Sequence, residues 1–205
     1  DCVVIRHPQV GSAEEFAKYS QIPVINGGDG SNQHPTQGLT DIFTILKEKG
    51  RLHNLKIAFV GDIKHSRTVF ALAQLLSMYP NNEFHFIAHN SCQISDEKLQ
   101  ILQKTGTKCF KSDVLEEILP NAAVLYVTRT QKERFSSESE YESVKNRYII
   151  TKKMVEKFAD VIIMHPLPRI YEILPEVDDL PQAKYFDQAR NAVFVRMAIL
   201  LDILG

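Results

Sequence analysis

The stretch DGSNQHPTQGLTDIFTILKEKG, residues 29–50, joins a loop of small and amide residues to a helix, and the rest of the chain is arranged around it. Pro35 stands at the first helical position, where a missing N–H does no harm, and Gly50 supplies the stop. The apolar residues between them recur at helical spacing and predict an amphipathic helix; they are Leu39, Ile42, Phe43, Ile45 and Leu46.

His34 and Gln37 lie three positions apart at the start of this helix, so their side chains can share one face. Free backbone N–H groups and the positive end of the helix dipole favour an anion there. The start of the helix is therefore a candidate binding site. A capping or packing role for His34 is the alternative, because the sequence shows no carboxylate or nucleophile beside it.

Composition and charge limit the kind of protein. The 205 residues are 44% hydrophobic, which is enough for a core, and 24 Lys and Arg against 25 Asp and Glu leave a net charge of -1. This balance argues against nucleic acid or a membrane surface as a partner. Three cysteines without CxxC spacing favour a reducing compartment, so we expect a cytoplasmic protein.

Strand and helix patterns alternate along the whole chain. Such alternation predicts parallel sheets covered by helices on both faces. We predict an α/β fold of two parallel-sheet, three-layer α/β/α domains, the first only partly present. Strands are predicted at residues 1–5, 22–25, 55–60, 83–88, 108–110, 122–127 and 160–164. The predicted N-caps are Ser12, Ser66, Ser95, Asp113 and Thr151, and a last helix is predicted over 185–204.

We place the boundary between the domains near residues 50–54. Residues 1–34 are the predicted carboxyl-terminal remnant of the first domain, and 35–50 the helix between domains. Residues 51–185 are the second domain, and 186–205 a closing helix that packs back on the first. Because the chain opens directly on a buried-strand pattern, we expect it to be a fragment of something longer.

Three arginines follow predicted strands. Arg6 comes after the first strand, Arg67 after the strand ending at Val60, and Arg129 after the strand ending at Val127. Ligands of open α/β sheets bind at the carboxyl ends of the strands, and guanidinium groups bind carboxylate and phosphate through paired hydrogen bonds. The pattern predicts a substrate with several negative charges, although each arginine taken singly could form a surface salt bridge.

The remaining motifs exclude some kinds of chemistry. His85 and His89 have metal-like spacing, but in a strand that spacing separates the side chains by about 13 Å, so we predict no metal. The turn after Val60 lacks the glycine spacing of a dinucleotide site, and we predict no cofactor. The segment His-Pro-Leu-Pro-Arg, residues 165–169, either offers carbonyl oxygens to an amine or is a rigid turn. Residues 132–141 are predicted to be a polar, mobile loop.

Five motifs, in order, resemble those of aspartate carbamoyltransferase catalytic chains, and they extend over essentially all 205 residues. They are Arg6-His-Pro-Gln9, Ser31-Asn-Gln-His-Pro-Thr-Gln37, Val60-Gly-Asp62 with Ser66-Arg-Thr68, Thr128-Arg-Thr-Gln-Lys-Glu-Arg134 and Met164-His-Pro-Leu-Pro-Arg169. The sister ornithine enzymes share the His-Pro-x-Gln element, but they typically have Cys in place of Pro166 and lack an equivalent of residues 129–131. The resemblance therefore implies carbamoyl transfer from carbamoyl phosphate to L-aspartate, in de novo pyrimidine biosynthesis.

The resemblance also implies roles for individual residues. Arg6 and His34 would be catalytic, because they would polarise the carbamoyl oxygen. Carbamoyl phosphate would be bound by Arg6, His34, Gln37, Leu167 and Pro168, and aspartate by Arg67, Arg129, Gln131, Pro166 and Leu167. No metal or cofactor is implied, since the amine of the substrate is itself the nucleophile.

One departure from the family pattern bears on activity. The Ser-x-Arg-Thr phosphate loop, and the Ser and Lys that a neighbouring subunit lends, would lie upstream of residue 1. We therefore expect the 205-residue chain alone to be inactive. The resemblance further implies a homotrimer with shared active sites, and it leaves open a regulatory subunit or a multifunctional fusion.

Two other functions stay open on the sequence alone. Carbamoyl transfer to another amine such as ornithine would need an acidic pocket where this chain places Arg129. A non-catalytic homologue, serving as an assembly or regulatory module, would keep the fold without turnover. The intact residues Arg6, His34, Arg67 and Arg129 speak against the second possibility.

Overall fold

The computed structural model describes residues 1–30 and 32–205, so Ser31 of the second motif lies outside the described residues. Parallel strands alternate with helices along the chain, as predicted. The strands are β1 (Val3–His7), β2 (Val24–Asp29), β3 (Lys56–Gly61), β4 (Glu83–Ile87), β5 (Lys108–Ser112), β6 (Val124–Thr128) and β7 (Ile162–Met164). The helices are α1 (Ser12–Ala17), α2 (Pro35–Lys49), α3 (Arg67–Leu76), α4 (Asp96–Gln103), α5 (Glu138–Val144), α6 (Lys152–Val155) and α7 (Tyr185–Leu204).

The larger sheet has five parallel strands in the order β5-β4-β3-β6-β7. Its central strands are apolar on both faces, as expected for strands that lie between helix layers. Phe59, Phe84 and Tyr126 pack in one apolar cluster with side chains of α3 and α4. Val60 and Val127 pack in a second cluster with side chains of α6 and the start of α7. This sheet is therefore covered on both faces within the described chain.

The smaller sheet consists of β1 and β2, which pair in parallel from Val3 opposite Val24. It is poorly covered, since Val4 of β1 is 60% exposed and Phe16 of α1 is 49% exposed. A two-stranded sheet is marginal on its own in water. β1 and β2 therefore depend on their packing against α1 and α2.

Helix α2 connects the two sheets and packs against α3 and α7. Of the apolar residues that predicted an amphipathic helix, Ile45 is fully buried, but Leu39 and Phe43 are 40% and 39% exposed. Asp41 and Thr44 are fully buried. The reason is that α7 contacts α2 through polar groups. Asn191 Nδ2 donates to Thr44 Oγ1 at 3.0 Å, for example. The helix was predicted correctly, and its buried face includes polar residues that the pattern did not indicate.

Helix α7 has the predicted bounds, and it too buries polar side chains. Gln188 and Asn191 are buried, while Phe194 and Leu201 on the other side are largely exposed. The apolar outer faces of α2 and α7 are therefore open in this chain.

The predicted serine caps have different outcomes. The hydroxyls of Ser66 and Ser95 accept backbone N–H groups at the starts of α3 and α4, as predicted. Ser12 is not a cap, because Gly11 holds that position and Ser12 is the first helical residue. The Ser12 hydroxyl is buried, and the described residues offer it no hydrogen-bond partner.

Two further local predictions were wrong. The pattern at Asp113 predicted a capped helix, but the Ser112 hydroxyl accepts Val114 N at 3.1 Å and the segment forms turns instead. Residues 132–141, predicted to be a loop, contain the 3-10 turn Lys132–Arg134 and the start of α5.

Helix α6 follows Thr151, but the Thr151 side chain does not cap it. The carboxylate of Glu176 accepts Lys152 N at 2.9 Å in its place. A residue distant in sequence thus accepts the hydrogen bond of a free N–H group at the start of the helix.

Candidate active site

The carboxyl ends of both sheets border one cavity of about 480 Å³. Ends of parallel strands meet at one edge of a sheet, which is why residues from distant segments reach the same place. Every predicted site residue lines this cavity: Arg6, His34, Gln37, Arg67, Arg129, Gln131, Pro166, Leu167 and Pro168.

The smaller sheet and the start of α2 supply one side of the cavity. Arg6 was predicted in the loop after β1, but β1 continues to His7, so Arg6 is its penultimate residue. His34 is the N-cap residue of α2, and its carbonyl oxygen accepts Gln37 N at 3.0 Å. Pro35 at the first helical position sets the turn that brings His34 and Gln37 to the same end of the helix.

His34 is almost fully buried and lies among positive charges. Burial is the first cause of its lowered pKa, which falls to about 4, and the guanidinium groups of Arg67, Arg6 and Arg196 act in the same direction. The imidazole is therefore neutral at neutral pH. A neutral imidazole can polarise a carbonyl oxygen by donating a hydrogen bond, without transferring a proton to it.

Arg67 opens α3 and reaches across to the smaller sheet, where its Nη1 donates to Gly30 O at 2.7 Å. Gly28 of β2 has a φ of +122°, and a Cβ at that position would lie 3.2 Å from the guanidinium carbon. A glycine is needed there for both reasons. Burial, and then the charges of Arg6 and Arg134, lower the pKa of Arg67.

Arg129 and Gln131 follow β6 on the larger sheet. Gln131 N donates to Asp62 Oδ2 at 3.3 Å, and Gln131 Nε2 donates to His65 O at 3.1 Å. His65 Nδ1 lies 2.9 Å from Asp62 Oδ1. Burial raises the pKa of Asp62, although the charge of His65 and the hydrogen bonds oppose this. These contacts fix the loop after β6 against the loop after β3.

The loop after β7 is held by a buried pair. His165 Nδ1 accepts Leu167 N at 2.8 Å, and His165 Nε2 lies 2.8 Å from Glu172 Oε1. Because Nδ1 accepts, the proton is on Nε2 and is donated to Glu172. Burial alone would raise the pKa of Glu172, but the hydrogen bonds from His165 and from backbone N–H groups outweigh it and leave the pKa lowered. The pair thus positions Leu167, which has a φ of +49° and precedes a cis proline, Pro168.

Two arginines at the cavity were missed as site residues. Arg134 and Arg196 join the three predicted ones, so five guanidinium groups line the cavity, and no carboxylate among the described side chains does. Arg134 belongs to a motif that carries the family resemblance, but its segment is predicted to be a mobile loop. Arg196 lies in the middle of α7, where no local signal marks it. A cavity of this charge suits a ligand with several negative groups.

In the described part of the chain, no group of three or more His, Cys, Asp or Glu side chains is arranged to hold a metal ion.

Two family signatures match the chain. Residues 53–203 match the family described as aspartate/ornithine carbamoyltransferase, Asp/Orn binding domain. Residues 1–47 match the one described as aspartate/ornithine carbamoyltransferase, carbamoyl-P binding domain.

Curated relatives match along the whole chain. The aspartate carbamoyltransferase catalytic subunit of Methanopyrus kandleri is 48% identical over 207 residues, which are 100% of this chain and 67% of that protein. The catalytic subunit of Methanocaldococcus jannaschii is also 48% identical, over 100% of this chain and 66% of that protein. The multifunctional protein CAD of Squalus acanthias is 46% identical over 100% of this chain but only 9% of that protein. The chain thus spans about two thirds of the length of the catalytic subunits that it matches.

Solved structures match this chain over its whole length as well. The catalytic subunit of M. jannaschii aspartate transcarbamoylase has a TM-score of 0.92 at 48% identity, covering 100% of this chain and 66% of that one. Aspartate transcarbamoylase from Trypanosoma cruzi in complex with carbamoyl phosphate and aspartate has a TM-score of 0.93 at 35% identity, covering 100% of this chain and 67% of that one.

Proposed function

Because this chain belongs to the aspartate/ornithine carbamoyltransferase family, we propose that it forms most of the active site of an aspartate carbamoyltransferase. The reaction transfers the carbamoyl group of carbamoyl phosphate to the amine of L-aspartate, giving N-carbamoyl-L-aspartate and phosphate, a step of de novo pyrimidine biosynthesis. The observation that carries the proposal is the cavity with five guanidinium groups and no carboxylate among its described lining residues. Both substrates bring negative charge to this cavity.

Carbamoyl phosphate lies, in this proposal, against the start of α2. Arg6 and the neutral imidazole of His34 donate hydrogen bonds to the carbamoyl oxygen, and Gln37 binds the carbamoyl amide group. The oxygen gains negative charge as the tetrahedral intermediate forms, so a fixed cation and a fixed donor lower the barrier. Leu167 and Pro168 bound the substrate on the opposite side.

Aspartate lies against the larger sheet. Arg67 binds the α-carboxylate, and Arg129 with Gln131 binds the side-chain carboxylate. The backbone at Pro166 and Leu167 orients the amine, which attacks the carbamoyl carbon. The new C–N bond forms, the C–O bond to phosphate breaks, and the departing phosphate takes a proton from the amine. The enzyme needs no nucleophile of its own, since orientation and charge stabilisation do the work.

Ornithine is the less suitable acceptor. Its side-chain amine would be the nucleophile that gives citrulline, so its α-ammonium group would need a carboxylate in the cavity, and the described lining residues include none. The nearby Asp62 is occupied by hydrogen bonds with His65 and Gln131. The charge of the cavity therefore favours aspartate.

We also propose that the phosphate-binding loop lies outside these 205 residues, in the remaining third of a longer chain and in a neighbouring subunit of a homotrimer. The coverage of the catalytic-subunit relatives and the open apolar faces of α2 and α7 support this. The proposed division is a first-domain remnant over 1–34, a connecting helix over 35–50, an aspartate-binding domain over 51–185 and a closing helix over 186–205. The relation to CAD leaves a multifunctional fusion open.

The proposed location is the cytoplasm. None of the described helices combines the length and hydropathy needed to cross a bilayer.

The test is carbamoyl transfer by the natural polypeptide that contains this chain, with aspartate and ornithine as competing acceptors. We expect carbamoyl-aspartate and no citrulline. Arg129→Leu should lower kcat/KM for aspartate roughly 100-fold, about 3 kcal/mol, because a substrate carboxylate loses its charged partner. Formation of citrulline, or no transfer to either amine, would contradict the proposal.

The matched control is Arg190→Leu. Arg190 lies on the exposed side of α7, 3.0 Å from Asp187, and does not line the cavity. Because exposed ion pairs contribute little, its removal should leave kcat/KM within about twofold of the unmodified enzyme. An equal loss in both variants would assign the effect to overall charge.

A further inference from the structure

Asp41 of α2 is fully buried one helical turn after Gln37, and it does not itself line the cavity. Three side chains from three elements donate hydrogen bonds to its carboxylate. Gln37 Nε2 donates to Oδ1 at 2.7 Å, and Gln188 Nε2 of α7 donates to Oδ1 at 2.6 Å. The Tyr126 hydroxyl of β6 donates to Oδ2 at 2.7 Å. A buried carboxylate with three donors is a fixed reference point for the groups around it.

A backbone group fixes the direction of these hydrogen bonds. His165 N can only donate, and it donates to Gln188 Oε1 at 2.9 Å. The amide nitrogen of Gln188 must therefore face Asp41. The oxygen that accepts from Gln188, Asp41 Oδ1, also accepts from the amide nitrogen of Gln37. This leaves the amide oxygen of Gln37 for the cavity.

We propose that Asp41 is a positioning residue that holds the amide oxygen of Gln37 towards the cavity, where it accepts a hydrogen bond from the NH2 of the carbamoyl group. This inference rests on the proposed function. An amide that could rotate would also present its NH2 to the same group, and two donors would then face each other. Asp41 removes that wrong orientation before the substrate arrives.

The same carboxylate connects the two sides of the site. Gln188 bonds Asp41 through its nitrogen and His165 through its oxygen. His165 in turn holds Leu167 N through Nδ1. A continuous set of hydrogen bonds therefore runs from Gln37 at the start of α2 to the loop after β7. Asp41 sets both the orientation of Gln37 and its place relative to that loop.

The test compares two stable analogues of carbamoyl phosphate that differ in one group. Phosphonoacetamide carries NH2 where acetonylphosphonate carries CH3. Calorimetric titration of the natural polypeptide containing this chain should show tighter binding of the amide. In Asp41→Leu the amide nitrogen of Gln37 loses its acceptor, so Gln37 can rotate. The preference for the amide should fall about tenfold, while affinity for the ketone stays nearly constant.

Thr44→Val is the matched control. Thr44 is buried on the same face of α2 and holds α7 through Asn191, but it does not contact Gln37. It should lower stability and keep the preference for the amide. If Asp41→Leu keeps that preference, or if Thr44→Val loses it equally, Asp41 is only structural and the proposal is overturned. If the unmodified protein binds neither analogue, the proposed function fails as well.

A second variant covers the case in which Asp41→Leu does not fold. Gln188→Met removes the donor to Asp41 and the acceptor for His165 N while keeping a side chain of similar length. The preference for the amide should then fall about threefold, since part of the support for Gln37 remains. An unchanged preference in a folded Gln188→Met protein contradicts the proposal.

Discussion

The two sheets differ in how completely the chain covers them. Phe59 of β3 is fully buried in a cluster shared with α3 and α4, whereas Val4 of β1 is 60% exposed. Both sheets nevertheless border the same cavity. The proposed aspartate side of the site therefore rests on a complete core, while the proposed carbamoyl phosphate side rests on two strands with little core of their own. A cavity can therefore be well defined although only one of the two sheets that border it is packed in a complete core.

The largest expected effect comes from breaking the core of the larger sheet. The ring of Phe59 lies 5.7, 5.2 and 5.9 Å from the rings of Phe84, Phe86 and Tyr126. Phe59→Ala should reduce the free energy of unfolding by about 3 to 5 kcal/mol, because it leaves a cavity. Val4→Ala should change it by less than about 0.5 kcal/mol. Urea unfolding of the chain measures both.

Equal losses from the two substitutions would refute the contrast between the sheets. The contrast is tested further by measuring Phe59→Ala and Val4→Ala in the longer natural polypeptide. A larger cost of Val4→Ala there would show that further polypeptide covers β1.

The next effect concerns Asp41 on α2, the helix between the sheets. Burial raises the pKa of Asp41 from 3.8 to about 7, although its hydrogen bonds with Tyr126, Gln37 and Gln188 oppose this. Between pH 3.8 and about pH 7, Asp41 keeps its proton in the folded state and has lost it in the unfolded state. The stability contributed by this proton is complete below the lower value and is lost as the pH rises through the upper one.

Unmodified protein should therefore lose about 1 kcal/mol per pH unit relative to Asp41→Asn, from about pH 5 to about pH 7. Urea unfolding of both proteins across this range gives the difference. The pKa of His34, which burial and neighbouring arginines lower to about 4, changes stability in the opposite sense. It contributes equally to both proteins and cancels. Parallel curves would show that Asp41 does not titrate in this range.

The smallest effect compares two serines at helix starts. The Ser66 hydroxyl accepts Val69 N on the larger sheet's side, whereas the Ser12 hydroxyl, beside the smaller sheet, has no partner among the described residues. Ser66→Ala should cost about 1 kcal/mol, and Ser12→Ala should cost about zero. Thermal unfolding ranks them, and the reverse order would contradict the assignment of these caps.

Much of the fold followed from local sequence signals. Pro35 and Gly50 gave the bounds of α2 correctly, because their effects on the backbone do not depend on tertiary contacts. The arrival of Arg67 and Arg129 at one cavity also followed, since a parallel sheet places the ends of its strands at one edge.

Tertiary contacts account for what the sequence did not predict. Arg196 reaches the cavity from within α7, and no local pattern distinguishes it from a charge on a solvated face. Asp41 sits among apolar residues at helical spacing, yet its side of α2 is the buried one because α7 offers Gln188. The cap predicted at Asp113 does not form, because the hydroxyl of the preceding residue, Ser112, accepts Val114 N and the segment forms turns. Periodicity locates a helix, but it does not say which neighbour that helix meets.

Gly28 matters to the site because it has no side chain. Adding one methyl group there would crowd the guanidinium carbon of Arg67 at 3.2 Å, in a backbone conformation that already disfavours any side chain. Arg67 would have to shift by a few tenths of an ångström, although no residue that lines the cavity had been altered. Mutational surveys confined to the residues that line the cavity would overlook Gly28, and the tolerance they measured would be an overestimate.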